Sequence, residues 1–87
     1  MATVSIYRSG QALMKGKPNI SFNIADFVSA SIKQNPEGGL CLVIVIKGRN
    51  DIYFCYKDKL KLQKYTQHLN IGITKAKTGI DVKVPFF

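Results

Sequence analysis

The run Leu40-Cys41-Leu42-Val43-Ile44-Val45-Ile46 constrains this chain most. Seven consecutive apolar residues are far too few for a membrane helix and fit a central strand covered on both faces. The chain is therefore built around a sheet. Ile52–Tyr56 follows the short Gly48-Arg49-Asn50 segment, which makes a hairpin the expected first pairing. With Asn50 in the left-handed position of a three-residue loop, opposed residues have numbers summing to 98. Ile46 then faces Ile52, Ile44 faces Phe54 and Leu42 faces Tyr56. The even-numbered face becomes an apolar core, and a slip of one residue would turn over every side chain of one strand.

That register sets the expectation for the cysteines. Cys41 and Cys55 have numbers summing to 96, so they are not directly opposed. A disulfide needs Cα atoms about 4.4–6.8 Å apart. Two free, buried thiols behaving as small hydrophobes are expected instead. Free thiols imply a reducing, intracellular setting, cytoplasmic or nucleoid-associated. The single histidine, His68, has no partner at ligand spacing, so no metal site is expected.

Turn residues divide the rest of the chain. Thr3–Arg8 alternates, with Val4 and Ile6 on one side and Ser5 and Tyr7 on the other, as a strand does. Lys15-Gly16-Lys17-Pro18-Asn19 reads as a loop. From Ile20 to Ile32 the even positions are mainly apolar and the odd positions mainly polar, over thirteen residues. That exceeds the usual strand of about 5–6 residues, and Asp26 on the apolar side marks a bend, bulge or break. Gln34–Gly39 is a loop. Asp58 is the expected N-cap of a helix over Lys59–Leu69, with Leu62, Tyr65 and Leu69 on one face and Asn70 and Gly72 as stop signals. The alternative is a strand, since Lys59-Leu60-Lys61-Leu62 also alternates, but helix formers dominate the segment. Gly79–Val84 alternates again and predicts a last strand. The expected fold is one α+β domain over residues 1–87. It has about five mainly antiparallel strands forming a curved sheet, with one helix from the C-terminal half packed on one face.

Function is narrowed first by exclusion. A chain of 87 residues has no room for a second core. No run approaches the roughly 20 apolar residues of a membrane helix, and Met1–Gly10 lacks the apolar stretch of a signal peptide. No membrane association is expected. Acid–base or nucleophilic catalysis needs paired groups, whereas Asp26, Glu37, Asp51, Asp58 and Asp81 are scattered singly. Neither a phosphate-binding loop nor a dinucleotide fingerprint occurs. The chain is expected not to be an enzyme and to carry no cofactor, and His68 is expected to be structural or solvated.

The charge balance points to a partner. Thirteen Lys and Arg against five Asp and Glu leave a formal charge of +8, which steers polyanions toward the surface. With the even residues under the helix, the odd face carries Tyr7, Phe27, Ser29, Ser31, Lys33, Val43, Val45, Lys47 and Tyr53. Arg8 and Arg49 lie at its margins, and Lys15 and Lys17 sit in a loop able to close over a backbone. Rings interleaved with cations suit single-stranded DNA or RNA: bases stack on rings for about 1–3 kcal/mol each, and cations neutralise phosphates. The expected interface is Tyr7, Phe27 and Tyr53 for stacking, with Arg8, Lys15, Lys17, Lys33, Lys47 and Arg49 on phosphates. A plainer reading stands beside it, in which strand tyrosines pack and Lys57, Lys59, Lys61 and Lys64 form a solvated helix face. The rival function is a protein-interaction module: a small viral structural or regulatory subunit, an adaptor or an inhibitor. Its surface would be Val43, Val45, Phe86 and Phe87, and the apolar strip would favour a homodimer or higher oligomer. Phe86 and Phe87 either fold back onto the core or form an exposed docking tip.

The stretch Ser5-Ile6-Tyr7-Arg8-Ser9-Gly10-Gln11-Ala12-Leu13 resembles the basic, Gly- and Ala-containing first strand of Whirly proteins, which belong with the single-stranded-DNA-binding transcriptional coactivators. The order of successive strands ending with Asp51–Lys57, then a Leu-containing helix, is also similar to that family's repeat. The family's Lys-Gly-Lys core reads Arg8-Ser9-Gly10-Gln11 here, and a strand follows the helix. The resemblance implies a dimer whose curved sheets bind unpaired strands through rings and cations.

Overall fold

Asp26 does interrupt the long alternating segment, and the interruption divides the strands between two sheets. In the computed structural model, which describes residues 1–87, β1 (Thr3–Tyr7) leads into a short helix α1 (Gly10–Met14) and β2 (Ile20–Asn23). A 3-10 turn at Ile24–Asp26 then opens β3 (Phe27–Gln34), followed by β4 (Leu40–Ile46), β5 (Ile52–Tyr56), α2 (Lys59–Lys77) and β6 (Val82–Pro85). The Asn23 side chain stops β2 by accepting the Ala25 N–H at 2.9 Å, a local bond that competes with the ladder. One sheet has the order β2-β1-β6 and the other β3-β4-β5. The fold is α+β, with six strands in two three-stranded sheets in place of about five in a single curved one. Pairing is antiparallel except between β1 and β6, which run parallel.

The two sheets share one helix. Val4, Ile6, Phe22 and Val84 from the first sheet meet Leu42, Ile44, Ile46 and Phe54 from the second, under Leu62, Tyr65, Leu69, Ile73 and Ala76 of α2. Asp58 caps that helix as the sequence indicates, accepting the Leu60 N–H at 2.9 Å and the Lys61 N–H at 3.4 Å. The helix continues past the expected end at Leu69 to Lys77. Asn70 and Gly72 lie inside it, and Gly72 serves packing: a Cβ there would sit 2.7 Å from Cγ2 of Val84 on β6. The stop signal is Gly79, whose φ of +97° suits the left-handed residue that follows a helix end.

The β4–β5 hairpin keeps the expected parity but not the expected pairing. Leu42 faces Phe54, Ile44 faces Ile52 and Cys41 faces Cys55, so opposed residue numbers sum to 96. The even face remains the core because a shift of two residues preserves which side each residue occupies. The connection is longer than three residues. The Arg49 N–H bonds to the Ile46 carbonyl at 3.2 Å, and Gly48 takes the positive φ (+78°) in place of Asn50. In this turn Gly48 is the third residue, the position at which a type II turn requires positive φ.

The observed pairing also overturns the expectation of free thiols. Cys41 and Cys55 form a disulfide across the two strands, with Cα atoms 4.0 Å apart, slightly closer than the usual span. In antiparallel ladders the closer Cα spacing belongs to non-hydrogen-bonded pairs, whose side chains approach most nearly. With the thiols bridged, they no longer argue for a reducing compartment. No helix is long and apolar enough to cross a membrane.

Candidate nucleic-acid interface

Helix α2 packs on the even face of β4 and β5, so the odd residues of those strands, and those of β3 from Ser29 onward, point away from the core. Cross-strand rows on that outer face follow from the register. Ser31, Val43 and Tyr53 form one row, and Lys33, Cys41 and Cys55 form the next. Tyr53 is 57 % exposed and is the one large ring on this face. Lys33 and Tyr53 both line a shallow cavity of ≈ 320 Å³ that Asn35 and Pro36 also line. The Asn35 side chain holds that turn, accepting the Glu37 N–H at 3.1 Å, while its backbone N–H bonds to the Gly39 carbonyl at 2.7 Å. At the opposite end of the sheet, the exposed Lys47 and Arg49 sit in the β4–β5 connection. One ring on an uncovered sheet therefore has cations beyond both ends.

Lys57 belongs to this arrangement, although sequence reasoning assigns it to the solvated helix face. It follows β5 with the same parity as Tyr53 and Cys55, and with Lys59 it lines a second shallow cavity beside Gln34 and Leu40. The strand's alternation, continued one step past Tyr56, is the signal that finds it.

Several expected contacts lie elsewhere. Tyr7 is buried at 5 % exposure and offers no ring face to a base. Phe27 is turned inward because the β3–β4 register shifts between Phe27 and Ser29. This bulge sets Phe27 opposite Ile46 on the core face, where its ring lies 6.1 Å from that of Phe22 in the other sheet. Arg8 is exposed, but its guanidinium lies over the Phe54 ring at 5.6 Å. Phe54 points to the core side of β5 and Tyr53 to the outer side, since neighbouring strand residues face opposite ways. Arg8 is thus placed away from Tyr53. Lys15 and Lys17 are exposed in the connection from α1 to β2, which belongs to the first sheet.

Most of the surface expected for a protein partner is covered, Val43 by its own row neighbours on the outer face and Phe86 by the core. Val43 is fully buried between Ser31 and Tyr53, and Val45 is half-buried. Phe86 is 3 % exposed and packs against Phe54 (4.8 Å between ring centroids) and Tyr65 (5.2 Å). Its backbone N–H also bonds to the Tyr7 carbonyl at 2.7 Å, so the chain end folds back. Only Phe87 of the four stays substantially open, at 40 %.

Two polar groups on the core side complete the inventory. The Tyr56 hydroxyl is buried without a hydrogen-bond partner. Burial pushes its pKa above the usual tyrosine value, and the nearby Arg8 charge offsets part of that rise. His68 Nδ1 lies 2.7 Å from the Pro85 carbonyl, a bond the ring makes by donating from Nδ1, and it ties α2 to the end of β6. No three His, Cys, Asp or Glu side chains come together as a metal site. The stretch Ser5–Leu13, likened above to a single strand, comprises the end of β1, a turn capped by Ser9 and most of the helix α1. No family model, curated protein or solved structure matched this chain.

Proposed function

We propose that this protein binds single-stranded nucleic acid on the outer face of β3-β4-β5, with little sequence preference. One observation carries the reading: an exposed Tyr53 ring on an uncovered sheet, with Lys33 and Lys57 beyond one end and Lys47 and Arg49 beyond the other. A base stacks on Tyr53, and the cations contact phosphates on either side of it. Of the nine residues expected from the sequence, Lys33, Lys47, Arg49 and Tyr53 remain and Lys57 joins them, because Tyr7 and Phe27 pack inward and Arg8, Lys15 and Lys17 lie away from this face. Stacking on one ring contributes about 1–3 kcal/mol, so affinity rests mainly on charge.

Fluorescence anisotropy with an oligothymidine of about a dozen nucleotides, within the range one small domain covers, tests this. Four phosphate contacts give a log–log salt slope of about −3, at roughly −0.7 per contact on a single strand. Tyr53→Ala should weaken binding by about 5- to 150-fold, the equivalent of one stacked base, and leave the salt slope unchanged. Lys33→Glu should weaken binding and flatten the slope. Binding that ignores salt, or that survives Tyr53→Ala intact, removes the proposal.

A further inference from the structure

The disulfide lies on the uncovered face of the second sheet, and its two halves are not equivalent. Cys41 is on the central strand β4 and is 5 % exposed, whereas Cys55 is on the edge strand β5 and is open to solvent. Both line the ≈ 320 Å³ cavity together with Lys33 and Tyr53. Lys33 is the direct cross-strand neighbour of Cys41, on the side away from Cys55. Side chains so opposed have Cβ atoms about 4.5–5.5 Å apart, within reach of a lysine ammonium.

Thiol–disulfide exchange depends on which sulfur can be reached and on how well the other leaves as thiolate. Here the two requirements fall on different residues. Access favours attack at Cys55, and a cation beside Cys41 favours departure of that sulfur. The reverse attack would need an incoming anion to reach a buried sulfur and would expel Cys55 without Lys33 beside it.

We propose that Cys55 is an S-thiolation site for small anionic thiols of the glutathione class. The incoming thiolate bonds to Cys55 Sγ as the Cys41–Cys55 bond breaks. The electron pair of that bond leaves on Cys41 Sγ, next to the Lys33 ammonium, and is then protonated from solvent. One disulfide is exchanged for another: the incoming thiol sulfur is oxidised as the Cys41 sulfur is reduced, so nothing beyond that thiol is required. The open cavity beside Lys33 and Tyr53 receives the rest of the thiol, and Lys33 also attracts its carboxylates. This assignment does not depend on nucleic-acid binding.

The experiment compares Cys41→Ser, which leaves Cys55 alone, with Cys55→Ser, which leaves Cys41 alone. Each is incubated with oxidised glutathione, and adduct formation is followed by intact mass. The Cys41→Ser variant should react at least about tenfold faster, following thiol exposure. Equal rates, or a faster Cys55→Ser variant, overturn the proposal. Circular dichroism establishes that both variants fold. Where one does not, the wild-type disulfide protein is exposed to excess reduced glutathione, acid-quenched, treated with N-ethylmaleimide and peptide-mapped. Glutathione on Cys55 with maleimide on Cys41 supports the site, and the opposite placement or an even mixture refutes it. With both cysteines present, Lys33→Ala should slow cleavage by glutathione several-fold, and an unchanged rate overturns the role given to Lys33.

Discussion

Replacing Gly72 by alanine sets two effects of known size against each other. Glycine inside a helix is less favourable than alanine by about 0.8–1 kcal/mol, and Gly72 lies well within the 19 residues of α2. Propensity alone therefore predicts a more stable protein. Packing predicts the reverse. The added Cβ would stand 2.7 Å from Val84 Cγ2 and 3.6 Å from Val82 Cγ2, while carbon atoms settle at about 3.5–4.0 Å. Helix or strand must move apart by roughly 1 Å. Val84 has little freedom to yield, being 1 % exposed and paired opposite Ile6 of β1. Overpacking of this kind costs about 1–3 kcal/mol. The clash outweighs the propensity gain, and Gly72→Ala should destabilise by about 1 kcal/mol. In a domain of this size that lowers the melting temperature by about 4–8 °C.

Urea denaturation of a double-mutant cycle isolates the cause. Val84→Ala alone should cost roughly 2–3 kcal/mol, from lost methyl burial and the cavity left behind. It also removes the atom that a residue-72 methyl would strike. In that background Gly72→Ala should become stabilising, with a coupling of about 1–3 kcal/mol between the two sites. If Gly72→Ala stabilises the otherwise native protein, or has the same sign in both backgrounds, close approach of α2 and β6 is not why glycine stands there.

Other expectations follow from the buried groups. Tyr56→Phe removes a hydroxyl that is buried without a partner, so it should be neutral or stabilising by up to about 1–2 kcal/mol in thermal unfolding; a loss above that size would reveal a bond to the hydroxyl. Because the folded Tyr56 pKa is raised, the unfolded chain loses this proton first as pH climbs. Its contribution to stability is therefore complete below about pH 10, the unfolded value, and falls as pH rises toward the folded value. Tyr56→Phe should remove that part of the alkaline decline, seen as a shallower slope of unfolding free energy above about pH 10. Reducing the disulfide, which closes a loop with a sequence separation of 14, should cost about 3 kcal/mol in denaturant titrations; no change in the midpoint would contradict the cross-link. Asp58→Ala deletes the α2 cap and should cost about 1 kcal/mol, whereas Asp58→Asn, which keeps an acceptor, should cost much less.

Local signals in this sequence are easier to read than signals that depend on distant partners. The Asp58 cap and the inward stripe of Leu62, Tyr65 and Leu69 need only their own turns of helix, and both are present. The helix end is harder because glycine has two meanings: Gly72 is small to admit Val84, a residue of another element, while Gly79 supplies the positive φ. Nothing near Gly72 in the chain distinguishes the two. The division into two sheets is legible only as the break at Asp26, because alternation says which face a residue occupies and not which strand lies beside it.

The hairpin shows where that boundary has consequences for function. Parity is robust, since the even residues of β4 and β5 must find the core, and alternation alone sets Tyr53 on the outer face. Pairing within a parity is not robust, because a shift of two residues leaves the apolar face intact and is decided by the length of the connection. With residue numbers summing to 98, Cys41 would lie opposite Lys57 and the thiols would stay apart. With sums of 96 it lies opposite Cys55, and the bridge forms. The two-residue shift therefore decides the redox chemistry of the outer face while leaving each residue on the same side of the sheet. It also brings Cys55 into the row that Lys33 already shares with Cys41, where a cation bears on how the bond is opened. Either register keeps the same residues on the core face, so the apolar pattern holds no information about which sulfur meets which neighbour.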